Sequence, residues 1–83
     1  MNIRNNIVNY LFDKDYIVCL YDDRVYFFNY KYLEYSDEKE MVVSLMDRKM
    51  VVEGSGMTIV KMTKEELLIR GSVIGVKVIM KNE

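Results

Sequence analysis

The chemistry available to this chain is set first by an absence. Histidine does not occur in it, which removes the commonest general base near neutral pH and the commonest transition-metal ligand. The only thiol, Cys19, lies inside the apolar run Tyr16-Ile17-Val18-Cys19-Leu20. With no imidazole to activate it, Cys19 reads as a core side chain rather than a nucleophile. A single cysteine cannot close an intrachain disulfide, which points to a reducing compartment. Three acidic groups are close enough in sequence to suggest a hard cation: Asp13 with Asp15, Asp22 with Asp23, and Asp37 with Glu38 and Glu40. None has the glycine-bearing spacing of a calcium loop, and they read as solvated turns and a helix exit. Gly54-Ser55-Gly56 links two apolar stretches instead of opening a helix, so it is no phosphate cradle. No catalytic, cofactor-binding or metal-ligating residue is assigned, and an enzyme is not expected.

The constellation with the best claim to a ligand is Arg24-Val25-Tyr26-Phe27-Phe28-Asn29-Tyr30-Lys31-Tyr32. If one strand runs through it, alternation puts Tyr26, Phe28, Tyr30 and Tyr32 on one face, and aromatic platforms flanked by cations stack single-stranded bases. The competing reading is packing, because aromatics form strands well and dominate small cores. A net charge of −1 and a pI near 5.5 supply no overall attraction to phosphates, so nucleic acid is the disfavoured partner. The seven methionines read as adaptable core filler.

The elements that must hold these residues follow from periodicity. Ile3, Ile7, Val8, Tyr10 and Leu11 fit an amphipathic helix over residues 2–12, an amino-terminal helical segment within 1–13 whose apolar stripe needs a sheet to cover. Residues 16–80 are β-rich, with strands expected at 16–21, 24–30, 31–35, 41–46, 49–53, 57–62, 66–70 and 73–80. Short links require antiparallel neighbours, and Asp22-Asp23 and Asp47-Arg48 are candidate tight hairpins. The 83 residues, 51% hydrophobic and 30% charged, make one domain covering 1–83.

The second half carries an echo. Lys49-Met50-Val51-Val52-Glu53-Gly54-Ser55 returns as Glu66-Leu67-Leu68-Ile69-Arg70-Gly71-Ser72, read as a strand and turn used twice. Period two puts Met50, Val52, Leu67 and Ile69 in the core, and leaves Val51 and Leu68 with Glu53 and Arg70 as a candidate interaction surface. In the last strand Ile74, Val76, Val78 and Met80 are expected to face in, with Lys77 and Lys81 toward water. The fold class is mainly β: a small antiparallel sandwich or roll closed by the helix, with a short β-solenoid as the alternative. The chain lacks proline, a common guard of sheet edges, which favours self-association. No apolar run approaches the roughly 20 residues that span a bilayer, and no leader is read at the start.

The motifs Phe28-Asn29-Tyr30-Lys31, Leu33-Glu34-Tyr35-Ser36-Asp37-Glu38, Val52-Glu53-Gly54, Met62-Thr63-Lys64-Glu65-Glu66 and Leu68-Ile69-Arg70-Gly71 resemble the YabP/YqfC family of bacterial sporulation proteins, closer to the YqfC branch. The resemblance covers residues 16–78. The chain departs from the family at Tyr32, where members usually carry glycine, and in lacking a proline before the first strand. What the resemblance implies is a non-enzymatic protein of the mother cell cytoplasm, acting at the forespore surface or coat. It would need no cofactor and would reach membranes only through a partner. The molecular expectation is an interaction module that self-associates as a homo-oligomer or docks on a protein partner; a single-stranded nucleic-acid module is the alternative.

Overall fold

The computed structural model describes residues 9–11 and 16–81. Seven strands run in chain order: β1 (Asn9–Leu11), β2 (Ile17–Leu20), β3 (Arg24–Phe28), β4 (Tyr32–Ser36), β5 (Glu40–Ser44), β6 (Arg48–Met62) and β7 (Glu66–Met80). They form one sheet in the order β1-β2-β3-β7-β6-β5-β4, with every neighbouring pair antiparallel. The mainly β expectation therefore holds, and stacked solenoid rungs are not the arrangement. The helix expected over residues 2–12 is corrected where the structure describes it: Asn9, Tyr10 and Leu11 pair with Cys19, Val18 and Ile17. A helix of that length is marginal in water, and the open edge of β2 offers its backbone ladder bonds instead. The rest of that helix, and Asp13 with Asp15, lie outside the described residues.

Two-residue turns close four hairpins. Tyr21 N–H donates to Arg24 O at 2.9 Å, Asp37 N–H to Glu40 O at 2.9 Å, Leu45 N–H to Arg48 O at 2.7 Å and Thr63 N–H to Glu66 O at 2.8 Å. Positive φ occurs only at Asn29, Gly56 and Gly71 among the described residues, so these turns are built without the left-handed residues that primed turns require.

Eight short strands were expected, four of them divided at Gly54-Ser55-Gly56 and at Gly71-Ser72; the structure merges these four into two of 15 residues, β6 and β7. Gly54-Ser55-Gly56 and Gly71-Ser72 are bends inside these strands and not turns between them. The ladder joining β6 to β7 shifts register at Glu53/Gly54, at Ser55/Thr58 and at Ile59/Lys61. Such bulges bend a strand without ending it. The two strands bend together because they are paired there, Gly54 with Val73 and Ser55 with Ser72.

Bending folds the sheet onto itself. One layer holds β1, β2, β3, the start of β7 and the end of β6; the other holds the end of β7, the start of β6, β5 and β4. Val18, Val25, Phe27, Leu67 and Ile69 from the first layer meet Met41, Val43, Met50 and Val52 from the second in a single buried cluster. Met57, at the bend, joins it, and so do Tyr16, Tyr30 and Leu45 from the connections. Met50, Val52, Leu67 and Ile69 thus occupy the core as alternation requires.

The repeat has a structural meaning. The first half of β6 pairs with β5 of the β4–β5 hairpin, and the first half of β7 pairs with β3 of the β2–β3 hairpin. Each hairpin tip then latches the bend of its long strand. Gly54 N–H donates to Lys39 O at 2.9 Å and Met57 N–H to Glu38 O at 3.0 Å, while Gly71 N–H donates to Asp23 O and Val73 N–H to Asp22 O, both at 3.0 Å. The two echoed segments are equivalent parts of two similar three-strand units.

Candidate functional site

The acidic groups within the described residues are turn builders. Asp37 Oδ1 accepts from the backbone N–H of Lys39 and of Glu40, each at 2.8 Å, and its Oδ2 accepts from the Tyr35 hydroxyl at 2.6 Å. The tyrosine bond, then these amides, hold the Asp37 carboxyl below the usual carboxylate range. Asp22 and Asp23 lend their carbonyls to the β7 bend, as described above. Among the described residues no three histidine, cysteine, aspartate or glutamate side chains are gathered to hold a metal ion. A cleft of about 270 Å³ opens between Asn29, Tyr30 and Lys31 on one side and Lys64 and Glu65 on the other. Cys19 is half-buried, and burial pushes its thiol up from its ordinary value.

The aromatic run does not form one platform. β3 ends at Phe28, and Asn29 takes a left-handed conformation with φ 63°. That single residue breaks the alternation. Tyr26 and Phe28 stay on the outer face of the first layer, Tyr30 turns into the core, and Tyr32 opens β4 in the second layer. Tyr30 is 7% exposed and its hydroxyl donates to Thr63 O at 2.6 Å, whereas Tyr32 is 56% exposed. The Tyr26 hydroxyl donates to Glu66 Oε2 at 2.9 Å. Glu66 also meets Lys61 Nζ at 2.6 Å, and first this lysine, then Tyr26, lowers its carboxyl below the ordinary value. The stacking surface proposed for Tyr26, Phe28, Tyr30 and Tyr32 is therefore corrected: these side chains are divided between an outer face, the core and another layer.

The Val51 and Leu68 surface is divided too. Val51 sits between Val42 and Lys77, and Leu68 between Tyr26 and Lys61, on the outer faces of opposite layers. Val51 is 8% exposed, so it is a buried residue and not part of an apolar strip. Glu53 belongs with Val51, bridged to Lys77 at 3.5 Å, and Arg70 with Leu68, opposite Arg24 and Thr58. No common patch joins the four.

What replaces them is the far end of β7. Past Arg70 this strand leaves β3 and, among the described residues, keeps only β6 as a strand neighbour. Its other side becomes a sheet margin beyond the latch of Val73 N–H on Asp22 O, while the Lys81 N–H bond to Asp47 O at 3.1 Å extends the ladder with β6. Val76 still packs on the core, but Ile74 is 74% exposed, and Val78, Ile79 and Met80 are about half exposed. The expectation that Ile74, Val78 and Met80 face in is thus overturned. Alternation puts Val78 and Met80 on the inward side of the strand, where the margin of a layer has too little opposite to cover them; Ile74 is the unpaired residue of the bulge between Val73, opposite Gly54, and Gly75, opposite Glu53, and so leaves the alternation. Lys77 is exposed as expected. Lys81 is exposed too, and its ammonium donates to Ser44 Oγ and Leu45 O, each at 2.7 Å.

The chain matches no family model, no curated protein and no solved structure. Among the described residues no helix is long and apolar enough to cross a membrane.

Proposed function

We propose that this protein is a non-enzymatic interaction module, and that it docks by adding a strand to the free margin of β7. The observation that carries this reading is the run 74–80, which among the described residues is paired on one side only and bears Ile74, Val78, Ile79 and Met80 in the open. Such an edge presents unpaired N–H and C=O groups, and natural sheets guard it with proline, charge or a covering element. Here the chain has no proline and only Lys77 interrupts the apolar side chains of the run. Strand addition supplies affinity through main-chain bonds and needs no catalytic or ligand-binding side chains, which suits a chain poor in both.

The resemblance to YabP/YqfC sporulation proteins gives this module a setting: spore morphogenesis in the mother cell of an endospore-forming bacterium, at the forespore surface or coat. Two experiments test the two parts. A fluorescent fusion appearing in the mother cell during sporulation, with a deletion that impairs spores, supports the setting; expression confined to vegetative growth overturns it. For the module, amide exchange at residues 74–80 should slow when the partner or a second copy is bound. Unchanged exchange there in a complex that protects another surface defeats the edge-docking reading.

A further inference from the structure

We infer that the occupant of the β7 margin is the β4 edge of a second copy, so that copies join head to tail into one continuing antiparallel sheet. This rests on the edge-docking reading above and names its partner.

Strand parity supports it. The second layer holds four strands, β4, β5, β6 and the end of β7, all antiparallel to their neighbours. Its two outer strands therefore run in opposite directions. A second copy shifted along the strand order presents β4 antiparallel to β7, which is how every existing pair in this sheet is made. With an odd number of strands the same shift would force a parallel pair. Among the described residues both edges are open: β4 pairs with β5 alone, and residues 74–80 with β6 alone.

Charge separates this joint from the symmetrical one. Residues 72–81 hold Lys77 and Lys81 and no carboxylate, while residues 31–40 hold four carboxylates against two lysines. Joining β7 to β7 would crowd like charges, and joining β7 to β4 brings opposite ones together. The exposed side chains also match, with Ile74, Val78 and Ile79 on one edge and Tyr32 and Tyr35 on the other. Aromatic and β-branched residues are favourable cross-strand partners. A head-to-tail joint uses different surfaces on the two copies, so it leaves a free edge at each end and growth continues. Strand twist of about 20–25° per neighbour would wind such an assembly by roughly a quarter-turn per copy.

The test is complementation between two blocked variants of the full chain, followed by sedimentation velocity and light scattering. Ile74→Lys with Val78→Lys blocks the β7 edge; Tyr32→Lys with Ser36→Lys blocks β4. The unaltered chain should gain mass with concentration beyond a dimer, each variant should stay monomeric, and their equimolar mixture should double in mass to a 1:1 pair. An unaltered chain that stops at a dimer, with blocked variants that do not complement, overturns the inference in favour of a symmetrical joint. A monomer at every concentration also overturns it. Docking itself then survives only if the β7 variant loses a partner that the unaltered chain retains. Should a blocked variant fail to fold, Tyr32→Cys mixed with Val78→Cys, both in a Cys19→Ser background, gives the same answer. Cross-links between the two variants support the joint, and cross-links within Val78→Cys alone defeat it.

Discussion

Gly54 and Gly71 are equivalent residues of two similar units: each gives its N–H to the tip of the hairpin beside it, Gly54 to Lys39 and Gly71 to Asp23. The backbone is tightest there. A Cβ on Gly54 would lie 2.1 Å from the Ser72 carbonyl oxygen, and one on Gly71 would lie 2.7 Å from Met57 Cα, with φ at 151° besides. Neither obstacle is a flexible side chain. Gly54→Ala and Gly71→Ala should each cost more than about 3 kcal/mol, the range of substitutions that force backbone to move. Gly56 has the left-handed φ of 61° but open space around it, so Gly56→Ala should cost only about 1–2 kcal/mol. Gly75→Ala, whose Cβ meets nothing nearer than 3.6 Å, should lie within about 0.5 kcal/mol of the parent chain. Urea unfolding of the four variants checks this order.

The Tyr16 hydroxyl donates to Asp47 Oδ1 at 2.5 Å, tying the entrance of β2 to the β5–β6 turn, and Arg48 Nε meets the same oxygen at 3.0 Å. Burial first, then the carboxylate, pushes the Tyr16 phenol up to about 12. A phenol raised in the folded state stabilises fully below its unfolded value near 10, and this contribution is lost as pH rises through about 12. Asp47 is shifted the other way, held low by Arg48 and then by Tyr16. Its contribution is present above the unfolded carboxylate value near 4 and is lost as pH falls through the depressed folded one. Tyr16→Phe should lower stability at neutral pH by about 2 kcal/mol, the range for a hydrogen bond to a charged group. It should also flatten the alkaline decline and leave an acid decline through Arg48. Thermal melts from acid to strongly alkaline pH measure all three effects.

Three tyrosines of the aromatic run should respond to truncation in order of burial. Tyr30→Ala removes a core ring and leaves the Thr63 carbonyl without its partner, so it should cost about 3–5 kcal/mol. A small domain holds only about 0.05–0.15 kcal/mol per residue in total, so this variant approaches unfolding. Tyr26→Ala, half-buried with its hydroxyl on Glu66, should lose less, and the exposed Tyr32→Ala should stay within about 0.5 kcal/mol. Single-stranded oligonucleotide titrations should show no salt-dependent affinity that Tyr26→Ala and Tyr32→Ala remove without unfolding. Such an affinity would restore the nucleic-acid reading.

Cys19 should react slowly with a disulfide reagent at neutral pH and quickly once denaturant unfolds the chain. Half burial limits access, and a thiol pushed up by burial holds little thiolate. Rapid labelling of the folded protein would mean that the β2 outer face is open.

Local pattern made part of this molecule readable in advance. Alternation placed Met50, Val52, Leu67 and Ile69 in the core because a strand sends successive side chains to opposite faces whatever its neighbours are. The Asp22-Asp23 turn was legible because a charged pair interrupts runs of β-formers, and the expected Asp47-Arg48 turn falls one residue earlier, at Met46-Asp47. The echo of residues 49–55 in 66–72 was visible as well, although its role was misread: glycine marks a turn and a bend in the same way. Asn29 gave one missed signal, since asparagine is among the few non-glycine residues that enter the left-handed region readily.

The sequence by itself determined that this chain is mostly strand, that Met50, Val52, Leu67 and Ile69 alternate inward, and that it has no histidine. Only the tertiary structure decided that four short strands are two long bent ones, that the aromatic run is split at Asn29, and that Ile74, Val78 and Met80 stand in the open. The reason is physical. Which way a side chain points is fixed by its own backbone, but whether anything lies there to cover it depends on strands far away in the chain.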